Sequence, residues 1–165
     1  MYSNKIERAA VRALEAYIDK RPYLEPIILK NDKTPFWDGE IYVYEEDHHT
    51  VDNFYARVPL QVKGTTIAKD KSYRIDRDYL VGYKADRGCI FFLVQINNKT
   101  PKILYSLLSS DALDILLKQN TKTIKIDLCE LPEDPLAFDR DVFNFATKRQ
   151  IERNESTTTK DIEAL

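Results

Sequence analysis

Hydrophobic residues recur along the chain with two different periods, which predict helices and strands. A spacing of three to four residues predicts helices over residues 3–19, 111–118 and 137–154. Ser110 is the expected N-cap of the helix over residues 111–118. Asp76 is the expected N-cap of a further short helix, because it precedes a segment with helical periodicity. The pattern therefore predicts four helices.

Strict alternation of apolar and polar residues predicts strands elsewhere. The clearest example covers residues 54–63. Further strands are predicted over residues 39–45, 89–96, 102–108 and 121–128. The segment 89–96 is apolar on both faces, as in a strand that is covered on both sides. Residues 22–35 contain three prolines and are expected to form a loop.

The order of these elements predicts an α/β domain with a mixed β-sheet flanked by helices. Strands 39–45 and 54–63 follow each other closely and are expected to form an antiparallel hairpin. A helix separates strand 54–63 from strand 89–96, so these two strands are expected to run parallel through a right-handed crossover.

Length and glycine content limit the architecture further. The chain has 165 residues, the length of one domain. We assign residues 1–154 to that domain and the polar residues 155–165 to a tail that can serve as a linker. The four glycines fit neither GxxxxGK[ST] nor GxGxxG, which excludes a P-loop and a standard Rossmann site. No stretch approaches the roughly 20 apolar residues of a membrane span, and we expect a cytoplasmic protein.

Histidine, cysteine and net charge narrow the chemistry. His48 and His49 are the only histidines, which excludes most zinc sites and argues against histidine-based triads. Cys89 and Cys129 lie in apolar runs and are expected to be buried and reduced, with a disulfide between two strands as the alternative. A net charge of −2 argues against a broad, non-specific grip on a polyanion. The groups that remain available for chemistry are carboxylates, lysines and the backbone.

Three polar residues are expected to meet at one end of the predicted hairpin. Asp38 precedes the first strand, and Gln61 and Lys63 stand two apart near the end of the second strand. Gln61 and Lys63 therefore project from the face opposite the apolar row. Because the first residue of one hairpin strand meets the last residue of the other, the three side chains should converge.

Glu7 is expected to join them from the first helix. At ~100° per residue it falls inside the apolar stripe, in line with Val11, Leu14 and Ile18. A carboxylate on a packing face is costly unless it is paired, protonated or bound to a metal. The alternative is that Glu7 completes a capping box with Asn4.

This set of groups suits phosphodiester hydrolysis. The carboxylates of Glu7 and Asp38, the Gln61 amide and the Val62 carbonyl would form a hard oxygen site for Mg²⁺ or Mn²⁺. Near such an ion, Lys63 can orient or deprotonate a water molecule and stabilise the charge that grows on a phosphate.

The same residues resemble the PD-(D/E)XK, or restriction-endonuclease-like, nuclease superfamily. Asp38 followed by Gln61-Val62-Lys63 is similar to the Mrr-like branch, which writes its second motif as QxK. The opening helix, IERAAVRALEAY, resembles the first helix of archaeal Holliday-junction resolvases, in which a glutamate occupies the position of Glu7. The resemblance covers about residues 4–108. Trp37 replaces the usual proline of the first motif, and Gln61 replaces the usual acid of the second.

The resemblance implies a fold and an activity. The fold is an αβββαβ core, and the activity is that of a Mg²⁺- or Mn²⁺-dependent endonuclease that cleaves DNA. Many small domains of this branch are the nuclease parts of bacterial antiphage or restriction systems, fused to sensor or NTPase domains. We therefore expect DNA and a fused or separate sensor or NTPase subunit as partners. The net charge of −2 further suggests that tight DNA binding needs a homodimer or an attached domain.

Other interpretations stay open. Gln61, the acidic balance and the small size also suit a nuclease-like fold that no longer cuts and serves as a binding module, and RNA is an alternative substrate. Glu40 shares the face of Asp38 and is an alternative ligand. Arg57 is either a phosphate contact or an exposed strand arginine. The following basic residues are either a groove for a nucleic-acid backbone or a solvated loop: Lys69, Lys71, Arg74 and Arg77.

Overall fold

The computed structural model describes residues 2–29, 38–67, 71–97 and 100–163, and this part contains four α-helices and eight β-strands. The helices are α1 (Tyr2–Asp19), α2 (Arg77–Ala85), α3 (Ser110–Leu116) and α4 (Pro135–Glu163). The strands are β1 (Leu24–Ile28), β2 (Gly39–Tyr44), β3 (Phe54–Thr65), β4 (Ser72–Asp76), β5 (Gly88–Gln95), β6 (Lys102–Ser109), β7 (Thr123–Asp127) and β8 (Cys129–Glu130). A short 3-10 helix, Val51–Asn53, leads into β3.

Six strands form one mixed sheet in the order β1-β2-β3-β5-β6-β8, and β4 and β7 form a separate two-stranded sheet. The strands β3 and β5 are parallel, and the remaining described strand pairs are antiparallel. The structure thus confirms the predicted mixed sheet, the β2–β3 hairpin and the parallel pair joined through α2.

Two hydrophobic clusters cover the two faces of the large sheet. Helices α1 and α4 cover one face, with Leu14 and Phe138 fully buried there. Helices α2 and α3 and the β4–β7 sheet cover the other face, where Tyr83 and Ile126 are buried. All eight residues of β5 are buried between the two layers, as its two apolar faces predicted. Within the described part of the chain, no helix is both long enough and apolar enough to cross a membrane.

The predicted loop over residues 22–35 contains strand β1. Pro26 lies inside this strand and pairs with Ile41 of β2. A proline is tolerated there because β1 is an edge strand, so one side of its backbone needs no ladder partner. Residues 30–37, which include Pro35, lie outside the described residues.

The polar segment after β3 contains strand β4, which the sequence pattern missed. It pairs with β7, from Ser72 opposite Asp127 to Asp76 opposite Thr123. Tyr73 and Ile75 alternate with polar residues, but the strand has five residues and Ile75 is the one that is buried, so the local signal is short. Its partner strand lies far along the chain, which hides the pairing from local sequence.

Helix boundaries differ at two places. The N-cap of α3 is Ser109 rather than Ser110, since the Ser109 hydroxyl accepts a hydrogen bond from Ala112 N at 3.2 Å. Helix α4 is longer than predicted at both ends, and Asp134 Oδ1 accepts a hydrogen bond from Leu136 N at 3.0 Å at its start. Residues 155–163 continue this helix. Their assignment as a linker stays a prediction.

The two cysteines are free thiols, and only one matches the expectation of burial. Cys89 lies inside β5 and is fully buried, whereas Cys129 is exposed. Cys129 belongs to the two-residue strand β8 at the edge of the sheet, where one face is not covered. The prediction of two buried cysteines was wrong for this reason.

Gly39 is needed where β1 approaches β2 most closely. A Cβ atom at this position would overlap the Ile27 carbonyl oxygen and lie 2.8 Å from the Ile28 Cα. Both of these atoms belong to the backbone, so they cannot rotate away. We expect Gly39→Ala to destabilise the protein by roughly 1–3 kcal/mol, which corresponds to about 2–4 °C in Tm per kcal/mol.

Thermal unfolding followed by circular dichroism measures this effect. Gly82→Ala, inside α2, is the matched control, because alanine has the higher helix propensity and should not lower Tm there. Equal melting temperatures for the two variants would contradict the close approach of β1 and β2 at Gly39.

Candidate functional site

Asp38 lies immediately before β2, and its backbone forms hydrogen bonds with β3 and with the residue that follows β1. Its N–H donates to Leu60 O at 3.0 Å, and its carbonyl accepts a hydrogen bond from Leu29 N at 3.1 Å. Its side-chain Oδ2 accepts a hydrogen bond from Val62 N at 2.8 Å. The carboxylate is therefore fixed against β3, at the end of the hairpin where the sequence predicted it.

Gln61 and Lys63 lie on the sheet face that α2 covers. They pair with Phe91 and Leu93 of β5, and paired residues of neighbouring strands point to the same face. Both β5 residues belong to the cluster around α2. Gln61 is only 4% exposed, because the layer formed by α2 and β4 closes over a face that the alternation alone predicted to be polar. Lys63 is half-buried at the edge of this layer.

The backbone of Val62 faces the same edge of β3 as Asp38. The N–H and C=O of a strand residue point to the same side, so the hydrogen bond from Val62 N also directs the Val62 carbonyl towards Asp38. The regular pairing of β2 with β3 ends at Gly39 and Leu60. The Val62 carbonyl lies beyond that last pair.

Glu7 reaches this point because α1 approaches β3 closely at Gly64. A Cβ atom on Gly64 would lie 2.9 Å from the Ile6 oxygen and 3.0 Å from the Ala10 Cβ, so glycine permits the contact. The Glu7 carboxylate lies close enough to the Gly64 backbone N–H, Lys63 and Asp38 for each of them to influence its pKa. The alternative of a capping box with Asn4 is wrong, since α1 begins at Tyr2 and Asn4 lies inside it.

Burial raises the pKa of both carboxyl groups. For Glu7, desolvation raises the pKa most, while Lys63 and the Gly64 N–H lower it and Asp38 raises it further. For Asp38, desolvation again raises the pKa, and the Val62 N–H and Lys63 lower it. Lys63 thus lies near two half-buried acids and offsets the desolvation cost of their charges only in part.

Glu7, Asp38, Val62 and Lys63 line one cleft of about 340 Å³. Arg8 and Arg12 of α1 line the same cleft and were missed by the sequence analysis. Their four-residue spacing beside Glu7 places them together on one exposed side of the helix, a signal that the sequence did contain. We refer to this site as the Glu7–Asp38 cleft.

Lys63 also borders a second concavity, of about 280 Å³, on the side of α2. Tyr73 and Arg74 of β4 and Tyr79 of α2 line it. Because β4 was not predicted, its position beside Lys63 could not be anticipated. Lys63 therefore stands between two openings at the carboxyl end of β3.

The residues present fit one hard divalent cation, with fewer charges than usual. Glu7 and Asp38 supply two carboxylates, and the Val62 carbonyl faces the same edge. The described residues include no group of three or more His, Cys, Asp or Glu side chains that could hold a metal, so the two carboxylates of the cleft would be the charged ligands. A bound cation would lower the raised pKa of each half-buried carboxyl group, because the cation favours the charged form.

Other candidate residues lie away from the cleft. Glu40 lines a different pocket, where its carboxylate is 4.0 Å from Arg57 Nη1, and it does not line the Glu7–Asp38 cleft. Lys71 lies 3.8 Å from the Glu130 carboxylate, and Arg77 Nη1 donates to Gln119 O at 2.6 Å. Trp37 and Lys69 lie outside the described residues.

Comparisons of the chain with models of known protein families, with curated proteins and with solved structures found no match. The interpretation of the cleft therefore depends on its own geometry and on the sequence motif.

The burial of the two carboxyl groups has a consequence for stability. A carboxyl whose pKa is raised in the folded state stabilises the fold below its unfolded pKa, and this contribution is lost as pH rises through the folded pKa. We expect Glu7→Gln to have a higher Tm than the wild type at about pH 7, because the amide carries no charge to desolvate. The difference should shrink as the pH falls to about 4, where the wild-type carboxyl is protonated.

Differential scanning calorimetry across this pH range, without divalent ions, tests the expectation. Glu15→Gln on the same helix is the matched control, since it replaces a carboxylate with an amide away from the cleft. A Glu7→Gln variant that melts below both the wild type and the control at neutral pH would show that Glu7 is not a strained buried acid.

Proposed function

We propose that the chain is a PD-(D/E)XK-type endonuclease that hydrolyses phosphodiester bonds of DNA with Mg²⁺ or Mn²⁺. The observation that carries this proposal is that Glu7, Asp38 and Lys63, which come from three separate segments of the chain, line one cleft. Asp38 and Lys63 are the acid and the lysine of the motif D…QxK, and Glu7 of α1 adds a second acid beside them.

The order of the elements supports the proposal. Leaving out β4, the chain runs α1-β1-β2-β3-α2-β5, which is the αβββαβ order that the resemblance implies. The candidate residues lie at the end of β3, and β5 is the strand parallel to it. Strands β6, β7 and β8 and helices α3 and α4 extend this arrangement.

Each residue of the cleft has a distinct role in the proposed reaction. The carboxylates of Glu7 and Asp38 and the Val62 carbonyl would hold the cation. The Gln61 amide, which is 4% exposed and does not line the cleft, would have to turn towards the cleft to act as a fourth ligand. A divalent cation at such a site polarises a phosphate oxygen and lowers the pKa of bound water. The hydrogen bond from Val62 N keeps the Asp38 carboxylate in place, and the close approach of α1 to Gly64 brings Glu7 beside it.

The basic residues act on the substrate. The Lys63 ammonium, beside both carboxylates, is positioned to orient the attacking water and to stabilise negative charge on the phosphate as the bond breaks. Arg8 and Arg12 line the cleft from α1 and can contact backbone phosphates, which would position DNA without reading its sequence.

We further propose that the chain acts as the effector of a bacterial antiphage or restriction system. Support comes from the D…QxK resemblance, which is typical of small nuclease domains attached to sensor or NTPase domains. The net charge of −2 also favours DNA binding with the help of a second copy or of an attached domain.

A second candidate function is a nuclease-like module that binds nucleic acid or protein without cutting. The nearly complete burial of Gln61 favours it, because a buried amide in place of an acid reduces the negative charge available to a cation. The two candidates differ in one measurable property: the first requires divalent-metal binding, and the second does not.

Cleavage of plasmid and linear DNA in Mg²⁺ or Mn²⁺ tests the proposed activity. We expect the wild type to cut and Lys63→Ala to lose activity by roughly 10²–10⁴-fold, since general acid–base and charge-stabilising groups contribute on this scale. Lys71→Ala is the matched control, because Lys71 is an exposed lysine outside the cleft that pairs with Glu130. Normal cutting by Lys63→Ala would exclude this site, and cleavage of RNA alone would change the substrate class.

Thermal melting with and without divalent ions separates the two candidate functions. We expect Mg²⁺ or Mn²⁺ to raise the Tm of the wild type and to have much less effect on Asp38→Asn and Glu7→Gln. No cutting together with no metal-induced shift would favour the binding module. No cutting with a clear shift would indicate a competent site that requires a missing partner.

A further inference from the structure

Four arginines line a further pocket, which lies at the amino end of β3. The pocket has a volume of about 300 Å³ and is lined by Arg57 of β3, Arg87 of the turn before β5, and Arg149 and Arg153 of α4. Two acidic residues, Glu40 and Asp86, also line it. The lining therefore carries a formal charge of +2, although the whole chain carries −2. We call this site the arginine pocket.

The arginine pocket is remote from the Glu7–Asp38 cleft. Arg57 and Lys63 lie six residues apart on β3, which corresponds to roughly 20 Å at about 3.3 Å per residue. Arg87 directly precedes β5, which runs parallel to β3, so the pocket lies where both strands begin. None of its lining residues lines the cleft.

Arg149 forms the rigid base of the pocket. Its Nη1 donates to Arg57 O at 2.9 Å, and its Nη2 donates to Asp86 O at 2.8 Å. Its Nη2 is also 3.6 Å from the Asp86 carboxylate, and the side chain is 11% exposed. These contacts fasten α4 to the beginnings of β3 and β5, so the pocket is built from three segments in a fixed arrangement.

Arg87 places a second positive charge beside Arg149. Burial lowers the pKa of Arg149, Asp86 opposes this effect, and Arg87 lowers it again through like-charge repulsion. Arg87 adopts a left-handed backbone conformation with φ 62°, which is rare for a residue other than glycine. The Nε atoms of Arg87 and Arg149 are both buried without a hydrogen-bond partner in the described structure. Backbone strain and unpaired polar groups at one point are typical of a ligand site.

The outer wall provides a charged group and an aromatic ring to a ligand. The Arg57 side chain is 62% exposed, and its Nη1 lies 4.0 Å from the Glu40 carboxylate, too far for a hydrogen bond. The ring of Phe54 is 39% exposed at the same pocket. Guanidinium groups bind phosphate oxygens in pairs of hydrogen bonds, and an exposed ring can stack on a nucleobase.

We propose that the arginine pocket binds the terminal phosphate group of a nucleotide or of a 5′-phosphorylated DNA end. A phosphate monoester carries about −1.5 to −2 charges at pH 7, which balances the +2 of the pocket lining. The volume is at the lower limit of about 300–1,000 Å³ for small-ligand sites, large enough for one phosphate with its sugar or base. The site is independent of the proposed nuclease activity.

Binding measured with EDTA present tests the proposal, because chelation removes any contribution of a metal in the cleft. Isothermal titration calorimetry with AMP, and with a short DNA carrying a 5′-phosphate, is expected to show binding. Adenosine and the same DNA with a 5′-hydroxyl serve as the unphosphorylated controls. Binding of AMP identifies a free nucleotide as a source of the phosphate, and binding of the phosphorylated DNA alone identifies a DNA end.

Two variants locate the binding in the pocket. Arg57→Gln removes an exposed guanidinium, and Arg87→Gly removes a charge while suiting the left-handed backbone, so both are expected to fold. Each should weaken phosphate binding by at least about 10-fold, because each removes charge-assisted hydrogen bonds from a guanidinium to the phosphate. Arg140→Gln, at an arginine of α4 that is 70% exposed and lies outside the pocket, is the matched control.

Several results would overturn the proposal. They are the absence of binding by either phosphorylated probe, equal binding of phosphorylated and unphosphorylated probes, and wild-type affinity in both pocket variants. Loss of binding in Lys63→Ala would also overturn it, because the phosphate would then occupy the Glu7–Asp38 cleft. Retention of binding in a Lys63→Ala protein that no longer cuts DNA would support two separate sites.

Discussion

The candidate cleft depends on one hydrogen bond, from the backbone N–H of Val62 to the Asp38 carboxylate, at 2.8 Å. It joins the residue before β2 to β3 just beyond the last ladder pair, and so continues the hairpin through a side chain. It fixes the Asp38 carboxylate and directs the Val62 carbonyl to the same edge of β3. Lys63 is the next residue of the strand, and its side chain projects from the opposite face of the sheet to that of Val62. Gly64 follows and admits α1, which brings Glu7. Three consecutive residues of β3 thereby organise groups from three segments.

This arrangement creates a conflict between stability and the proposed chemistry. Two carboxyl groups whose pKa values are raised by burial lie near one lysine, so the charged forms are not fully compensated. A fold selected only for stability would carry amides or apolar residues at these positions. The divalent cation that we propose for this cleft would offset that cost, because it favours the charged forms of both carboxyl groups.

The sequence predicted those parts of the site that depend on local periodicity. The hairpin followed from alternation over β2 and β3, and Glu7 followed from its place in the apolar stripe of α1. Gln61 showed the limit of this reasoning: alternation placed it on a polar face, yet α2 and β4 cover it. Strand β1 was hidden by Pro26, whose tolerance depends on an edge position that only the assembled sheet reveals.

The arginine pocket could be predicted from the sequence even less than the Glu7–Asp38 cleft. Its arginines come from β3, from the turn before β5 and from α4, and no spacing in the sequence relates these segments. Arg57 was recognisable as an exposed strand arginine, and its contact with Glu40 is a diagonal contact within the β2–β3 hairpin. Its position near Arg149 depends on how α4 packs on the sheet. Arg87 could be assigned to a turn, but its left-handed backbone and its closeness to Arg149 could not be inferred.

The two sites lie at opposite ends of β3, and this separation limits how they can influence each other. Roughly 20 Å is about twice the Debye length at physiological ionic strength, so direct charge interaction between them is largely screened. Groups more than about 7–10 Å apart with no shared partner usually act additively. Strand β3 pairs with β2 over Phe54–Leu60 and with β5 over Leu60–Thr65, so each half of the strand is paired on one edge. Coupling between a phosphate in the arginine pocket and chemistry in the cleft would therefore have to pass along β3 and the strands beside it, or through a bound nucleic acid that touches both ends.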